Sequence, residues 1–257
     1  MLFVIDIGNS NTVMGVYDGE CLVENWRIRT EKDVTADEFN VMVQGLFAVS
    51  SVSLNQIDRT IISSVVPSMV RNLDAYCRRY LNHAPHWVDA KSYPGMPILL
   101  SNPAEVGADR IVNGVAAFAK YKTSLIVIDF GTATTFDAIS PEGAYLGGAI
   151  SPGIKLAAEA LFQKASKLPR VELFVPPPTV VGTDTATCMQ SGIIFGYAGL
   201  VDGMVMRMKK EMGTNPRVIA TGGLADLMFQ VAETIEAVEP ALTLAGLKLI
   251  HDSMDSA

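Results

Sequence analysis

The chain is 257 residues long, 49% hydrophobic and 18% charged, a composition that packs a core and excludes an intrinsically disordered chain. Its formal charge of -7, from 27 acidic against 20 basic residues, disfavours electrostatic capture of nucleic-acid phosphates or anionic lipid, so neither a nucleic acid nor a membrane is expected as a partner. Three scattered cysteines, Cys21, Cys77 and Cys188, make neither a disulfide framework nor a zinc cluster, and point to a reducing, cytoplasmic compartment.

In chain order, the opening apolar run Met1 to Ile5 stops at Asp6 without a basic leader, and no later stretch approaches the ~20 apolar residues that cross a bilayer. A soluble, unprocessed chain is expected. Val4-Ile5-Asp6-Ile7-Gly8-Asn9-Ser10-Asn11-Thr12 reads as a strand entering a tight polar turn, Val13 to Tyr17 as the returning strand, and Asp18-Gly19 as the turn into a third. Thr35-Ala36-Asp37-Glu38 is a capping box, after which Phe39, Met42, Val43 and Leu46 line one helical face. A strand over Thr60 to Val66 ends at Pro67, and Met69, Leu73, Tyr76, Cys77 and Tyr80 form the stripe of the next helix. His83 and His86 flank a surface turn at Pro85, form no metal-ligand pattern with His251, and receive no role. Ile111, Val112, Val115 and Phe118 mark a further helix.

The opening pattern then returns. Val127-Ile128-Asp129-Phe130-Gly131-Thr132-Ala133-Thr134-Thr135 repeats the order of β-branched residues, Asp, apolar residue, Gly and small polar residues, and is followed by Phe136 to Ile139 and a turn at Glu142-Gly143. Helices are expected near Ile154 to Ser166, Thr185 to Met212 and Ala241 to Met254, with a stiff Pro176-Pro177-Pro178 connector and a strand at Arg217 to Thr221. A duplication of this kind predicts two similar α/β domains, 1–118 and 119–257, facing each other across a ligand-binding cleft.

An Asp at the end of a buried strand, followed by Gly and small hydroxyl or amide residues, lets a turn's backbone approach a phosphate while the carboxylate holds a cation. One copy is explained by a hairpin that merely needs Gly and Asn; two copies that both keep the Asp favour the phosphate reading. Neither Gly-x-x-x-x-Gly-Lys-Ser/Thr nor Gly-x-Gly-x-x-Gly occurs, which removes the Walker and dinucleotide folds. The Gly222-Gly223 pair ending the Arg217 strand has room for a flat base against its backbone, although alone it reads as a turn.

Together with Asn102-Pro103-Ala104-Glu105-Val106-Gly107-Ala108-Asp109-Arg110-Ile111-Val112-Asn113 and Gly147-Gly148-Ala149-Ile150-Ser151-Pro152-Gly153, the two Asp-containing turns make a chain that resembles the type III pantothenate kinases over essentially its whole length. That family lies in the superfamily of acetate and sugar kinases, heat-shock chaperones and actin. The resemblance implies an α/β fold of two duplicated ribonuclease-H-like domains, each a mixed sheet flanked by helices. It implies ATP-dependent phosphorylation of the primary hydroxyl of pantothenate to 4'-phosphopantothenate, the first step toward coenzyme A.

Carried over by position, the resemblance implies that Asp6, Ile7, Gly8, Asn9, Ser10, Asn11, Thr12 and Val13 cradle the ATP phosphates, with Asp6 turned toward the accompanying Mg²⁺ and Thr132 adding a contact. Gly107, Ala108, Asp109 and Arg110 would line the pantothenate pocket together with Leu100 and Thr185. Asp109 would be the general base, and Asp129 would hold a monovalent cation, K⁺ or NH₄⁺. This suits phosphoryl transfer, which depends on alignment, charge neutralisation and one carboxylate that accepts the hydroxyl proton. Arg110 offers a planar fork to a carboxylate or phosphoryl oxygen. Read without the resemblance, Asp109 and Arg110 decorate a helix N-terminus and Thr185 is an N-cap. Leu100 departs from the family's usual Tyr and makes that wall aliphatic.

Gly192, Gly196, Gly199 and Gly203 share one face of the long helix, which suits either packing inside the chain or a subunit contact; a homodimer is expected. Two other readings stand beside the pantothenate kinase: a kinase of the same fold for another small hydroxyl acceptor, and a noncatalytic regulatory relative. Asp6, Asp109 and Asp129 are all present, which argues against the second.

Overall fold

The computed structural model describes residues 1–90, 95–173 and 175–255. They form two compact units, one of residues 1–116 with 242–257 and the other of residues 117–241.

In the first unit, β1 (Leu2–Ile7), β2 (Asn11–Asp18) and β3 (Cys21–Arg29) run as an antiparallel meander. The strands β4 (Arg59–Ser64) and β5 (His86–Trp87) add in parallel on the other side of β1, giving the order β3-β2-β1-β4-β5. Five of the six residues of β1 are buried, as a central strand covered on both faces requires. One face, carrying Phe3, Ile5, Ile7, Met14, Val16 and Ile62, packs against α1 (Ala36–Ala48) and α2 (Pro67–Tyr76) through Phe39, Val43, Met69, Leu73 and Tyr76. Each such side chain stabilises the fold by roughly 1.5–3 kcal/mol on burial.

The second unit repeats this plan. The strands β6 (Leu125–Phe130), β7 (Ala133–Ile139) and β8 (Tyr145–Pro152) form the meander, and β9 (Arg217–Gly222) and β10 (Ala237–Val238) the parallel side, in the order β8-β7-β6-β9-β10. Leu125 pairs with Ile139 and Arg217 as Leu2 pairs with Tyr17 and Arg59, and each meander breaks register at the equivalent point, after Val16 and after Ala138. Its core joins Ile126, Ile128, Phe130 and Phe136 to Ile193, Ile194, Tyr197, Val201 and Val205 of the long helix α5 (Thr185–Met212), which follows α3 (Ala108–Tyr121) and α4 (Ile154–Lys164) in the chain. A short α6 (Ala225–Phe229) closes this side. The result is an α/β fold of two duplicated ribonuclease-H-like units.

The capping box at Thr35 forms as expected: Glu38 N donates to Thr35 Oγ1 at 3.3 Å and Thr35 N donates to Glu38 Oε2 at 2.9 Å. The predicted stripe through Cys77 and Tyr80 continues past α2 as a wider π-type turn over Cys77–Leu81. His83 serves structure, its ring nitrogens meeting Thr60 Oγ1 at 2.8 Å and Leu81 O at 2.9 Å.

One boundary differs from the sequence division at 118/119. The last helix, α7 (Leu242–Asp255), belongs with the first unit, packing on β1, β2 and β4, and not with the unit that precedes it in sequence. Leu244 and Leu247 are buried, Thr243 Oγ1 donates to Asn113 Oδ1 at 2.7 Å, and Lys248 Nζ donates to Glu20 Oε1 at 3.0 Å beside Asp252. The repeat signals where each copy begins, but a terminal helix docks wherever an uncovered sheet face accepts its apolar side. Among the described residues no helix is long and apolar enough to cross a membrane.

Candidate active site

Alternation along β1 sends Phe3, Ile5 and Ile7 into the helix-covered core and leaves Asp6, half-buried, on the opposite face at the strand's C-terminal end. Its register neighbours are Val13 on β2 and Ser63 on β4. The turn beyond it is closed by Gly8 N donating to Asn11 O at 3.0 Å, and Asn9, Ser10 and Asn11 stand exposed at its tip. Ile7 and Thr12 do not share that exposure. Ile7 is fully buried with its carbonyl accepting from Val65 N at 3.0 Å, and the buried Thr12 hydroxyl is 3.0 Å from Thr30 Oγ1. Of the predicted phosphate residues, then, the turn itself faces outward while its two flanking residues are tied to the body of the unit, Ile7 by its carbonyl and Thr12 by its hydroxyl.

The equivalent turn of the second unit is one residue shorter. Phe130 pairs with Thr134 where Ile7 pairs with Thr12, and Gly131 N donates to Ala133 O at 3.0 Å. Thr132 is exposed, and its carbonyl accepts from Gly153 N at 3.1 Å, which fixes the turn to the start of α4. Asp129 lies on the strand's C-terminal end, opposite Thr221, and Gly222 alongside adopts φ +92°. A Cβ at Gly222 would stand 2.4 Å from Asp129 Oδ1, so the carboxylate fills the space that any side chain there would take.

The segment before α3 is built the same way. Asn102 Nδ2 donates to Glu105 Oε1 at 2.8 Å across a short 3-10 turn over Pro103–Glu105, Val106 is buried, and α3 starts at Ala108. Asp109 sits in the first helical turn, where its Oδ1 accepts Arg110 N at 2.8 Å. A Cβ on Gly107 would be 2.5 Å from that oxygen. Burial pushes the Asp109 carboxyl above the usual carboxylate range, the Arg110 backbone amide and guanidinium opposing the shift without cancelling it. Leu100 is half-buried ahead of this segment.

Val65 joins the two features of the first unit, a link no sequence signal suggested. Its amide binds Ile7 O at the entry to the Asp6 turn, and its Cγ1 lies 3.7 Å from the Cβ position of Gly107. The turn after Asp6 and the carboxylate of Asp109 therefore lie at the same end of the first sheet, the C-terminal ends of its parallel strands, where open α/β sheets bind ligands. A carboxylate kept basic by burial beside an amide-rich turn has the parts for moving a proton next to a phosphate.

Thr185 begins α5 but is not its cap. Asp184 holds that position, accepting Thr187 N at 2.9 Å, and Thr185 is left exposed in the first helical turn. On the exposed face of α5, Cβ atoms at Gly192, Gly196, Gly199 and Gly203 would meet nothing within 4 Å among the described residues, which leaves the intrachain explanation of that stripe without a partner surface. Met206 continues the face and is 61% exposed. Among the described residues no group of three or more His, Cys, Asp or Glu side chains is placed to hold a metal ion.

Residues 2–207 match the family described as type III pantothenate kinase. The chain is 62% identical over 257 residues to the type III pantothenate kinase of Desulfatibacillum aliphaticivorans, covering 100% of both chains. It is 61% identical over 253 residues to that of Desulforapulum autotrophicum, covering 98% of this chain and 97% of the relative. Among solved structures, a ROK family glucokinase from Streptomyces griseus in complex with glucose and AMPPNP superposes with a TM-score of 0.55 at 11% identity, covering 98% of this chain and 99% of that one, which is a likeness of fold.

Proposed function

The chain belongs to the type III pantothenate kinase family, a kinase that phosphorylates pantothenate with ATP in coenzyme A biosynthesis, and from that premise we propose which of its residues do the work. Asp109 is the general base. As the primary hydroxyl of pantothenate attacks the γ-phosphorus, its proton passes to the Asp109 carboxylate, the new O–P bond forms, and the bond to the β-phosphate oxygen breaks to release ADP. The observation that carries this assignment is that the Asp109 carboxylate sits where a Cβ on Gly107 would stand, 2.5 Å from its Oδ1, and that burial raises its affinity for protons. Gly107, Ala108, Arg110 and Leu100 of the first unit line the acceptor side, and Arg110 supplies the cationic fork.

The turn backbone and the exposed side chains of Asn9, Ser10 and Asn11 take the ATP phosphates, Gly8 closes the turn beneath them with Val13 flanking, and Asp6 turns toward the Mg²⁺ that arrives with ATP. Asp129 holds a monovalent cation, K⁺ or NH₄⁺. A hard carboxylate oxygen seated in the space left by Gly222 fits such an ion, which when bound offsets phosphate charge. The experiment is to incubate the purified protein with ATP, Mg²⁺ and pantothenate, with and without K⁺, and to assay 4'-phosphopantothenate. Product that forms only with K⁺ or NH₄⁺ is the expected result. Equal rates in Na⁺ would remove Asp129 from this role.

The exposed face of α5 supports a homodimer. Its four glycines and Met206 present backbone and an apolar side chain for close approach of a second copy. Wild-type protein is expected to sediment as a dimer and Gly199→Arg as a folded monomer; a monomeric wild type at working concentration would discard this reading. The absence of a disulfide framework among the cysteines supports the cytoplasm as compartment.

A further inference from the structure

We propose that Lys32 is a phosphate-binding residue of the ATP site, the cation of a cradle that β1 and β2 supply only with amides, neutral side chains and the acidic Asp6. The inference rests on the assignment of the Asp6 turn to the ATP phosphates. Three hydrogen bonds stitch the segment after β3 to that turn: Thr30 N donates to Ser10 O at 3.1 Å, Thr30 Oγ1 donates to Gly8 O at 2.8 Å, and Lys32 Nζ donates to Asn9 Oδ1 at 3.2 Å. Thr30 is buried, and Ser68 Oγ donates to Lys32 O at 3.1 Å, so the backbone that carries the lysine is anchored at both ends of this short stretch. The ammonium is thereby held at the exposed tip of the turn.

Among the described residues its ammonium is also in no ion pair. The basic residue nearest in sequence, Arg29, is paired with Glu31 at 3.0 Å, whereas the bonded partner of Lys32 is a neutral amide oxygen. The Lys32–Asn9 bond already has an ionised donor, and exchanging its neutral acceptor for a phosphate oxygen adds the Coulomb attraction of an opposite charge. A triphosphate entering a protein of net charge -7 meets general repulsion, which raises the value of one fixed cation at its landing point.

The test separates charge from tethering. Lys32→Gln keeps a donor for Asn9 and removes the charge; Lys32→Arg keeps both. Lys32 is exposed, so both variants are expected to fold. Titration calorimetry with MgATP, MgADP and adenosine, and KM measurements for both substrates, are compared with wild type and with Asp6→Asn. The expected result for Lys32→Gln is MgATP binding weakened about tenfold or more, adenosine binding and the KM for pantothenate unchanged, and a shallower fall of ATP affinity with NaCl added at fixed saturating KCl. Lys32→Arg is expected within about threefold of wild type. MgATP affinity and salt dependence equal to wild type in Lys32→Gln, with Asp6→Asn impaired, would overturn the proposal alone. The same result with Asp6→Asn also unimpaired would overturn it together with the assignment of the turn.

Discussion

The two units share strand order, register and even the position of the break in each meander, yet they seat their acidic residues differently. At the end of β4, level with Ile7, stands Ser64, whose hydroxyl accepts Val66 N at 3.1 Å and turns the chain into α2. The equivalent residue at the end of β9, level with Phe130, is Gly222, whose missing side chain is the room that Asp129 occupies. The turns differ in the same sense. Thr12 shares a hydrogen bond with Thr30, while its counterpart Thr134 is fully buried with no hydrogen-bond partner among the described residues. The first unit further adds Gly107 and Asp109 beside its turn, linked to it by Val65. A duplicated scaffold therefore fixes where the two carboxylates lie, and unrepeated residues decide what each can do.

The largest expected effect breaks that asymmetry at its chemical end. Asp109→Asn should lower kcat by about 10²–10⁴-fold while ATP binding persists, measured by product formation at saturating substrates and by ATP titration. Near-normal turnover would discard Asp109 as the base. Because burial raises its folded pKa, the carboxylate takes up protons more readily folded than unfolded. Stability from this group is full below the unfolded pKa and is lost as pH rises through the folded value. Asp109→Asn should therefore melt higher than wild type at neutral pH. The same shift predicts that the acid limb of the wild-type kcat/KM profile lies above the ordinary carboxylate range and is absent from the variant's residual rate.

Next in size is Gly222→Ala, which drives a methyl group into the Asp129 carboxylate. The K⁺ needed for half-maximal rate should rise about tenfold or more. Gly213→Ala supplies the control, since Gly213 also has a positive φ, +64°, but a Cβ there meets nothing within 4 Å. Both variants should lose about 1–2 kcal/mol from backbone strain, Gly222→Ala more because its Cβ also meets Phe130 N at 2.7 Å, and only Gly222→Ala should change its cation dependence. Equal cation dependence in the two would sever Gly222 from the function of Asp129.

The smallest effect compares the turns directly. Thr12→Val removes one partner of a buried hydroxyl pair and should cost about 1–2 kcal/mol in denaturant unfolding. Thr134→Val replaces a buried hydroxyl that has no partner among the described residues and should be neutral or stabilising. Matching losses at both positions would show that the turns are supported alike.

Much of this was legible in the sequence because it is local. The Asp-apolar-Gly order announces each turn, the Thr35–Glu38 spacing announces a capped helix, and the segment from Asn102 to Asn113 carries the family resemblance. Other features have no local signature. Asp184 and Thr185 both suit an N-cap, and only the backbone path into α5 selects Asp184. Thr12 reads as one more hydroxyl for phosphate until Thr30 is found against it, and Lys32 reads as a surface charge until the Thr30 segment folds over the Asp6 turn.

By itself the sequence determined the periodic elements, the duplication and the strand-end position of Asp6 and Asp129, since strand alternation, helix stripes and turn chemistry act between residues a few positions apart. Tertiary structure decided that α7 covers the first sheet, that Val65 joins the turn after Asp6 to the segment of Asp109, and which glycines make room for Asp109 and Asp129. The physical reason is excluded volume between segments distant in the chain. Whether a missing side chain is an ordinary turn or the seat of a carboxylate depends on which strand arrives beside it, and strand pairing and helix docking settle that only when the core closes.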